Sequence, residues 1–176
     1  RGVCAGTVKE IFTRGSEWPR KCPQVAPVRA QEKRRMAITV SVYDTYYSEL
    51  QQGNIDWLND KFTATLHTAE SFVASETNFT HISAEITDAD YSEQVITNPA
   101  IVITSNVADL DCDNINYGSN VTITAAMMVI RKDTGTDADD ILCFHVDFGG
   151  SQSSTSSNFR YDIHATGLSR VGANGF

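Results

Sequence analysis

The chain has 176 residues, with 14 basic against 22 acidic side chains and a net charge near -8. That length fits one domain with a core large enough to need no disulfide staples, and four cysteines at 4, 22, 112 and 143 are too sparse for a disulfide scaffold. No stretch of eighteen apolar residues exists to form a membrane-spanning helix, and the acidic total argues against nucleic acid as a partner.

The total conceals two unlike parts. Residues 1–35 hold nine Lys/Arg and three Glu, a balance of +6, together with Pro19, Pro23 and Pro27. Residues 36–176 hold five Lys/Arg and nineteen Asp/Glu, a balance of -14. The first segment shows no sustained helical or strand period and no apolar run of signal-peptide length. Two readings stay open. In one, Met36 is the true start and residues 1–35 are upstream frame. In the other they form a basic, Pro-containing arm that builds no core of its own, able to dock on an acidic partner or nucleic acid.

After Met36, Ala37–Val42 is a short β-branched run. Tyr43, Tyr46, Tyr47 and Leu50 then recur at helical spacing, and Gly53 is placed to stop that helix. Phe62, Ala64 and Leu66 alternate with Thr63, Thr65 and His67, the period of a half-buried strand, with Trp57 as an apolar plug before it. Residues 71–93 are dense in Ser, Thr and Asp. They predict an irregular segment with a brief helix around Phe79–Ile86.

Residues 94–104 read as an apolar strand with Pro99 near its start, a position tolerated on an edge. Residues 107–118 read as a strand end and turn. Residues 119–132 open with β-branched side chains and predict the longest strand. A turn at 133–140 then leads to a second strand over 141–150, the two forming a hairpin. The Ser/Thr-rich stretch 151–157 is expected as a loop. Phe159, Tyr161 and Ile163 then alternate with Arg160, Asp162 and His164 in a last strand. No helix long enough for a βαβ crossover separates the later strands, so the fold class is all-β and mostly antiparallel. A sandwich or compact barrel of about six to eight strands with one short helix is expected, in a single domain over 36–176.

Candidate chemistry is sparse. Asp109, Asp111 and Asp113 have the opening spacing of a calcium loop. An EF-hand would place Gly at the sixth position and Glu at the twelfth, where this chain has Asn114 and Asn120. They read first as a solvated acidic turn and second as a weak calcium site; Asp137, Asp139 and Asp140 read the same way. His67, His81, His145 and His164 lack metal-binding spacing and are expected on solvent-facing positions. Cys143 and His145 should share a strand face about 7 Å apart, too far for one to activate the other. Asn78-Phe79-Thr80 and Asn120-Val121-Thr122 match the N-glycosylation pattern, which acts only in a eukaryotic secretory route. No nucleophile elbow, phosphate loop or CxxC occurs, and neither catalysis nor a cofactor is expected.

Two stretches nonetheless resemble a known family. Residues 53–69, with Gly53, Ile55, Asp56 and Trp57 in a G-x-I-D-W turn before a strand, look like the opening of small structural proteins of tailed bacteriophages. Residues 119–150 are similar to the same proteins. They carry Thr122, Ile123, Thr124 and Ala125, then Lys132, Asp133, Thr134 and Gly135 in a K-D-T-G hairpin turn, then Ile141 followed by Asp147, Phe148, Gly149 and Gly150. The closing strand matches less well, because Ser157-Asn158 stands where a glycine is usual. The resemblance covers about 41–165 and favours the Met36 start. It implies a non-enzymatic virion component of capsid surface, neck or tail, acting through contacts with other virion proteins and with its own copies. A carbohydrate- or receptor-binding module of a fibre is the alternative. It would expose Trp57, Tyr91 or Tyr117 beside carboxylates.

Overall fold

The apolar runs that begin at Val121 and Ile141 form one hairpin, Val121–Lys132 against Ile141–Ser157, across the turn at 133–140. The computed structural model describes residues 37–69, 71–105 and 107–172, with only the backbone of 169–172. The readings made for residues 1–35 and Met36 lie outside the described residues.

In chain order the elements begin with β1 (Thr39–Val42), α1 (Asp44–Gln51) and β2 (Phe62–His67). After the irregular segment come β3 (Gln94–Val95), β4 (Ala100–Thr104), β5 (Val107–Asp111) and β6 (Ile115–Asn116). The hairpin strands are β7 (Val121–Lys132) and β8 (Ile141–Ser157), followed by β9 (Arg160–Tyr161) and β10 (Ser169–Gly172). Every ladder is antiparallel, and the fold is all-β. Five strands make one sheet in the order β1-β8-β7-β2-β3; three make a second, β10-β5-β4; β6 and β9 make a two-stranded third.

One face of the large sheet presents Phe62, Ala64, Leu66, Met128, Ile130, Phe144 and Val146 to a common core. Leu110 of β5, Ile115 of β6, Tyr46, Trp57, Tyr117 and Phe159 close that core from the other side in a sandwich-like arrangement. Burying a Phe or Leu of this kind contributes about 1.5–3 kcal/mol each. The opposite face is covered too. Val129 and Leu142 meet Tyr43 and Phe79, with Phe72 and Ile82 packed around them.

This second layer corrects the reading of β2 as half-buried. All six of its residues are buried, because residues 71–86 lie over the side that alternation assigns to solvent. The burial of Thr63 and Thr65 is tolerable because their hydroxyls are bonded, Thr63 Oγ1 to Asp133 Oδ2 at 3.1 Å and Thr65 Oγ1 to His67 Nε2 at 2.9 Å. The covering segment is irregular, as its composition predicts, with a 3-10 turn at Phe79–His81. In α1 Tyr46 is buried, but Leu50 lies out in solvent, so the apolar stripe is shorter than its spacing suggests.

Strand β8 runs through Gly149-Gly150 and the serine stretch, where an end and a loop were expected. The hairpin steps from Ala125–Gln152 to Met127–Asp147, so one residue of β7 faces four of β8. Gly149 (φ +74°) and Gly150 (φ +144°) make that bulge, in backbone conformations that side chains rarely adopt. Pairing then resumes, with Ser154 Oγ donating to the Val121 carbonyl at 2.9 Å. A run of small polar residues forms a strand here because β7 supplies its partner groups.

The apolar stretch 94–104 divides at Asn98-Pro99 into β3 and β4, on the edges of two different sheets. The Phe159–Ile163 alternation holds, but its ladder is only two residues long. Strand β10 was not foreseen.

Candidate functional site

The residues that carry the family resemblance gather in two places. Gly53 (φ +78°) ends α1, its N–H donating to Leu50 O at 3.2 Å. Ile55 and Trp57 then enter the core, where the indole Nε1–H reaches Asp111 O at 3.2 Å. Asp56 stays outside and holds the turn, accepting from the Leu58 N–H at 3.0 Å and the Asn59 amide at 2.7 Å. Those bonds, the Asn59 amide foremost, lower its carboxyl pKa.

The K-D-T-G turn arrives at the same spot. Lys132 Nζ donates to Asn54 O at 2.6 Å and pairs with Asp60 at 2.7 Å. Asp133 pairs with Lys61, accepts from Thr63 and receives the Gly135 N–H at 2.8 Å. The bond from Lys61 is the largest cause of its lowered pKa. Two motifs some seventy-five residues apart in sequence therefore form one latch at an end of the β2–β7 ladder. The other group is the bulge. Asp147 is exposed and its Oδ1 accepts the Gly149 N–H at 2.7 Å, while Phe148 is buried, as their opposite faces predict. The residues of both groups position backbone and core, and their geometry accounts for a shape.

The candidate calcium residues are not brought together. Asp109 is buried on β5, Asp111 caps the next N–H, that of Cys112, at 2.9 Å, and Asp113 accepts from Thr97 and Asn98. Among the described residues no group of three or more His, Cys, Asp or Glu is placed to hold a metal ion. Of the second acidic turn, Asp137 and Asp139 are exposed and Asp140 is buried.

Asp140 belongs to a network that sequence reasoning missed. Arg131, buried on β7, donates from Nε to Asp140 Oδ2 at 2.7 Å and from Nη2 to Glu93 Oε2 at 2.9 Å. Its guanidinium carbon lies 3.7 Å from the centre of the Phe79 ring. The other Asp140 oxygen accepts both the N–H (2.7 Å) and hydroxyl (2.9 Å) of Thr134. An Arg directly after the apolar run Ala125–Ile130 was the available signal, since a buried cation requires partners.

The histidines correct a second expectation. His67 of β2 and His145 of β8 are buried beneath the segment that covers the sheet, not solvent-facing, while His81 and His164 are exposed. His67 Nδ1 lies 2.7 Å from the Ser83 carbonyl, which can only accept. Nδ1 therefore carries a hydrogen, while Nε2 lies 2.9 Å from the Thr65 hydroxyl. Cys143 and His145 do not share a face. The ladder slips between Ile130 and Arg131, which turns Cys143 into the main core, while His145 packs on Phe72 at 5.4 Å. Burial raises the thiol pKa of Cys143, and it pushes that of Cys112 up to about 12, with help from Asp111 and Asp113. Neither is a nucleophile at neutral pH.

Trp57 and Tyr117 are buried; Tyr91 is half-buried with its hydroxyl donating to Glu85 and accepting from the Leu66 N–H. No stacking platform of these three rings faces solvent. An open groove of about 460 Å³ lies between α1, residues 75–78 and the hairpin turn, lined by Asp44, Ser48, Glu49, Thr77, Asn78 and Asp139. Of the two glycosylation sequons, Asn78 is half-buried and accepts the Thr80 hydroxyl at 2.5 Å, and Asn120 is exposed before β7. No helix of the described residues is long and apolar enough to cross a membrane. No protein-family model, curated protein or solved structure matches the chain.

Proposed function

We propose that this chain is a non-enzymatic structural component of a bacteriophage virion, a decoration or head-surface, neck or tail-associated protein. It acts through repeated contacts with other virion proteins and with its own copies. The phage assignment rests on the resemblance of residues 53–69 and 119–150. The observation that carries a contact-based role is the exposed apolar edge at Ile101, Val102 and Ile103. An exposed run of that kind suits a protein surface. The fibre-module alternative is not favoured, because the aromatics it requires are turned into the core.

The test is mass spectrometry of purified particles from the phage that encodes the gene, with antibody labelling to place the chain on head, neck or tail. Its recovery in stoichiometric amount is expected. Its absence from every particle fraction, with the protein present in the lysate, overturns the proposal.

A further inference from the structure

We propose that β4 is a self-pairing edge, through which two copies of this chain join by an antiparallel β4–β4 contact centred on Val102. The inference deepens the structural role above by naming the surface and the partner.

Strand β4 is terminal in the order β10-β5-β4, so among the described residues one of its sides has no neighbouring strand. Alternate backbone N–H and C=O groups on that side turn outward, where water or another strand must satisfy them. Ile101 and Val102 are 45% and 44% exposed, and Ile103 is 74% exposed. Successive strand residues point to opposite faces, so both faces of this edge are apolar and in solvent. Single exposed apolar residues need no explanation, whereas three adjacent β-branched ones do.

The usual protections are missing. Ala100–Thr104 contains no Lys, Pro or Gly, and its register with β5 runs unbroken from Ala100–Asp111 to Thr104–Val107. A straight, unprotected edge is a template for another strand.

Charge selects the occupant. The domain is strongly acidic, yet residues 94–106 contain no charged residue. An antiparallel pair centred on Val102 sets Ala100 against Thr104 of the second copy and brings no like charges opposite one another. Within an acidic molecule, this is a place where two copies can meet without repulsion at the contact. The edge also matches itself chemically, since its complement is a short, uncharged, β-branched strand. The three side chains expose on the order of 300 Å² of apolar surface, the scale of functional patches. A pair falls below the roughly 1,600 Å² of a standard interface. The contact is therefore weak, and effective where copies are concentrated on an assembly.

The experiment uses the full chain with Cys4 and Cys22 changed to Ser, and mild oxidation of added cysteines. Val102→Cys should cross-link to itself, and an equal mixture of Ala100→Cys and Thr104→Cys should cross-link to each other. Ala100→Cys alone should not, because its two copies lie about 13 Å apart in this register. Sedimentation velocity over a micromolar to millimolar range should show a monomer–dimer equilibrium. Val102→Lys should weaken it by about tenfold or more with the thermal midpoint unchanged. Should that variant misfold, the cross-linking pattern decides alone. A monomer at every concentration overturns the proposal, as does Ala100→Cys cross-linking as fast alone as in the mixture. These measurements use purified protein, so they can fail while the particle assignment stands, and the reverse.

Discussion

Arg131 carries a full charge into a layer of Phe and Val, and Asp140 makes that possible. The pair is buried at both ends, 7% and 2% side-chain exposure, whereas Glu93 on the other side of the guanidinium is 45% exposed. Removing the buried partner leaves the interior side of the cation without its carboxylate and only half-exposed Glu93 beside it, so Asp140→Ala should cost about 3–5 kcal/mol. Removing the exposed one leaves a charge that water reaches, and Glu93→Ala should cost less than about 1 kcal/mol. Urea unfolding of the two variants checks the contrast, and equal losses would refute it. Asp133 adds a pH dependence. Its folded pKa is depressed, above all by Lys61, so its stabilisation is present above the unfolded value and lost as pH falls through the folded one. Stability of the wild type relative to Asp133→Asn should therefore be greatest near neutrality and shrink on acidification, read from unfolding midpoints across the acid range. The thiols make a third residue-scale case. With burial raising both pKa values, Cys112 and Cys143 should resist alkylation at pH 8 in the native protein and react once it is unfolded. Rapid native labelling of Cys143 would contradict its place in the core.

At the scale of elements, periodicity located strands well and their burial poorly. The hairpin, the helix end at Gly53 and the irregular 71–93 segment were legible because each depends on local chemistry: β-branched runs, a positive-φ glycine, Ser/Thr/Asp density. What alternation could not show was a second layer. The polar side of β2 is buried only because a segment from elsewhere in the chain covers it, and nothing within 62–67 encodes that. The serine stretch failed for the opposite reason. Its composition reads as loop, yet β7 is twelve residues long and offers its ladder to whatever β8 places beside it. The site residues divide the same way. The sequence motifs marked where the chain must turn, but only the fold shows that 53–57 and 132–135 meet. Strand β10 was invisible because its pairing partner is β5, some sixty residues earlier, and the chain reaches it through a close approach just before the strand. Leu168 N–H bonds Leu110 O at 2.7 Å, and Gly167 beside it (φ +72°) passes so close that a Cβ would lie 2.1 Å from the same oxygen. Gly53 has a similar φ with nothing within 4 Å. Gly53→Ala should therefore cost only the backbone strain, about 1–2 kcal/mol, and Gly167→Ala distinctly more. Hydrogen exchange should find the Ser169–Gly172 amides deprotected in the second variant alone.

For the whole molecule, the charge imbalance that composition reveals becomes a physical constraint once the pairs are known. Each basic side chain described, Lys61, Arg131, Lys132 and Arg160, already holds at least one carboxylate. Five cations stand against nineteen carboxylates in residues 36–176, so most of the acidic surface has no partner of opposite sign within the domain. Folding concentrates that charge, and self-repulsion opposes the compact state. Monovalent salt shortens the reach of such repulsion to about 8 Å at physiological strength. The short pairs at 2.7–2.9 Å around Arg131 lie inside that distance and are screened less. Raising salt from low ionic strength should therefore raise the unfolding midpoint. A midpoint that falls with salt would mean that attractive pairs outweigh the surplus charge. The same argument reaches association. Two copies approaching along an uncharged edge meet no repulsion at the contact itself, but their acidic bodies repel at longer range. Self-association should then strengthen with added salt, the reverse of a contact built on ion pairs. A dimer held by the apolar β4 edge and one held by charge are thus separated by the sign of a single salt dependence.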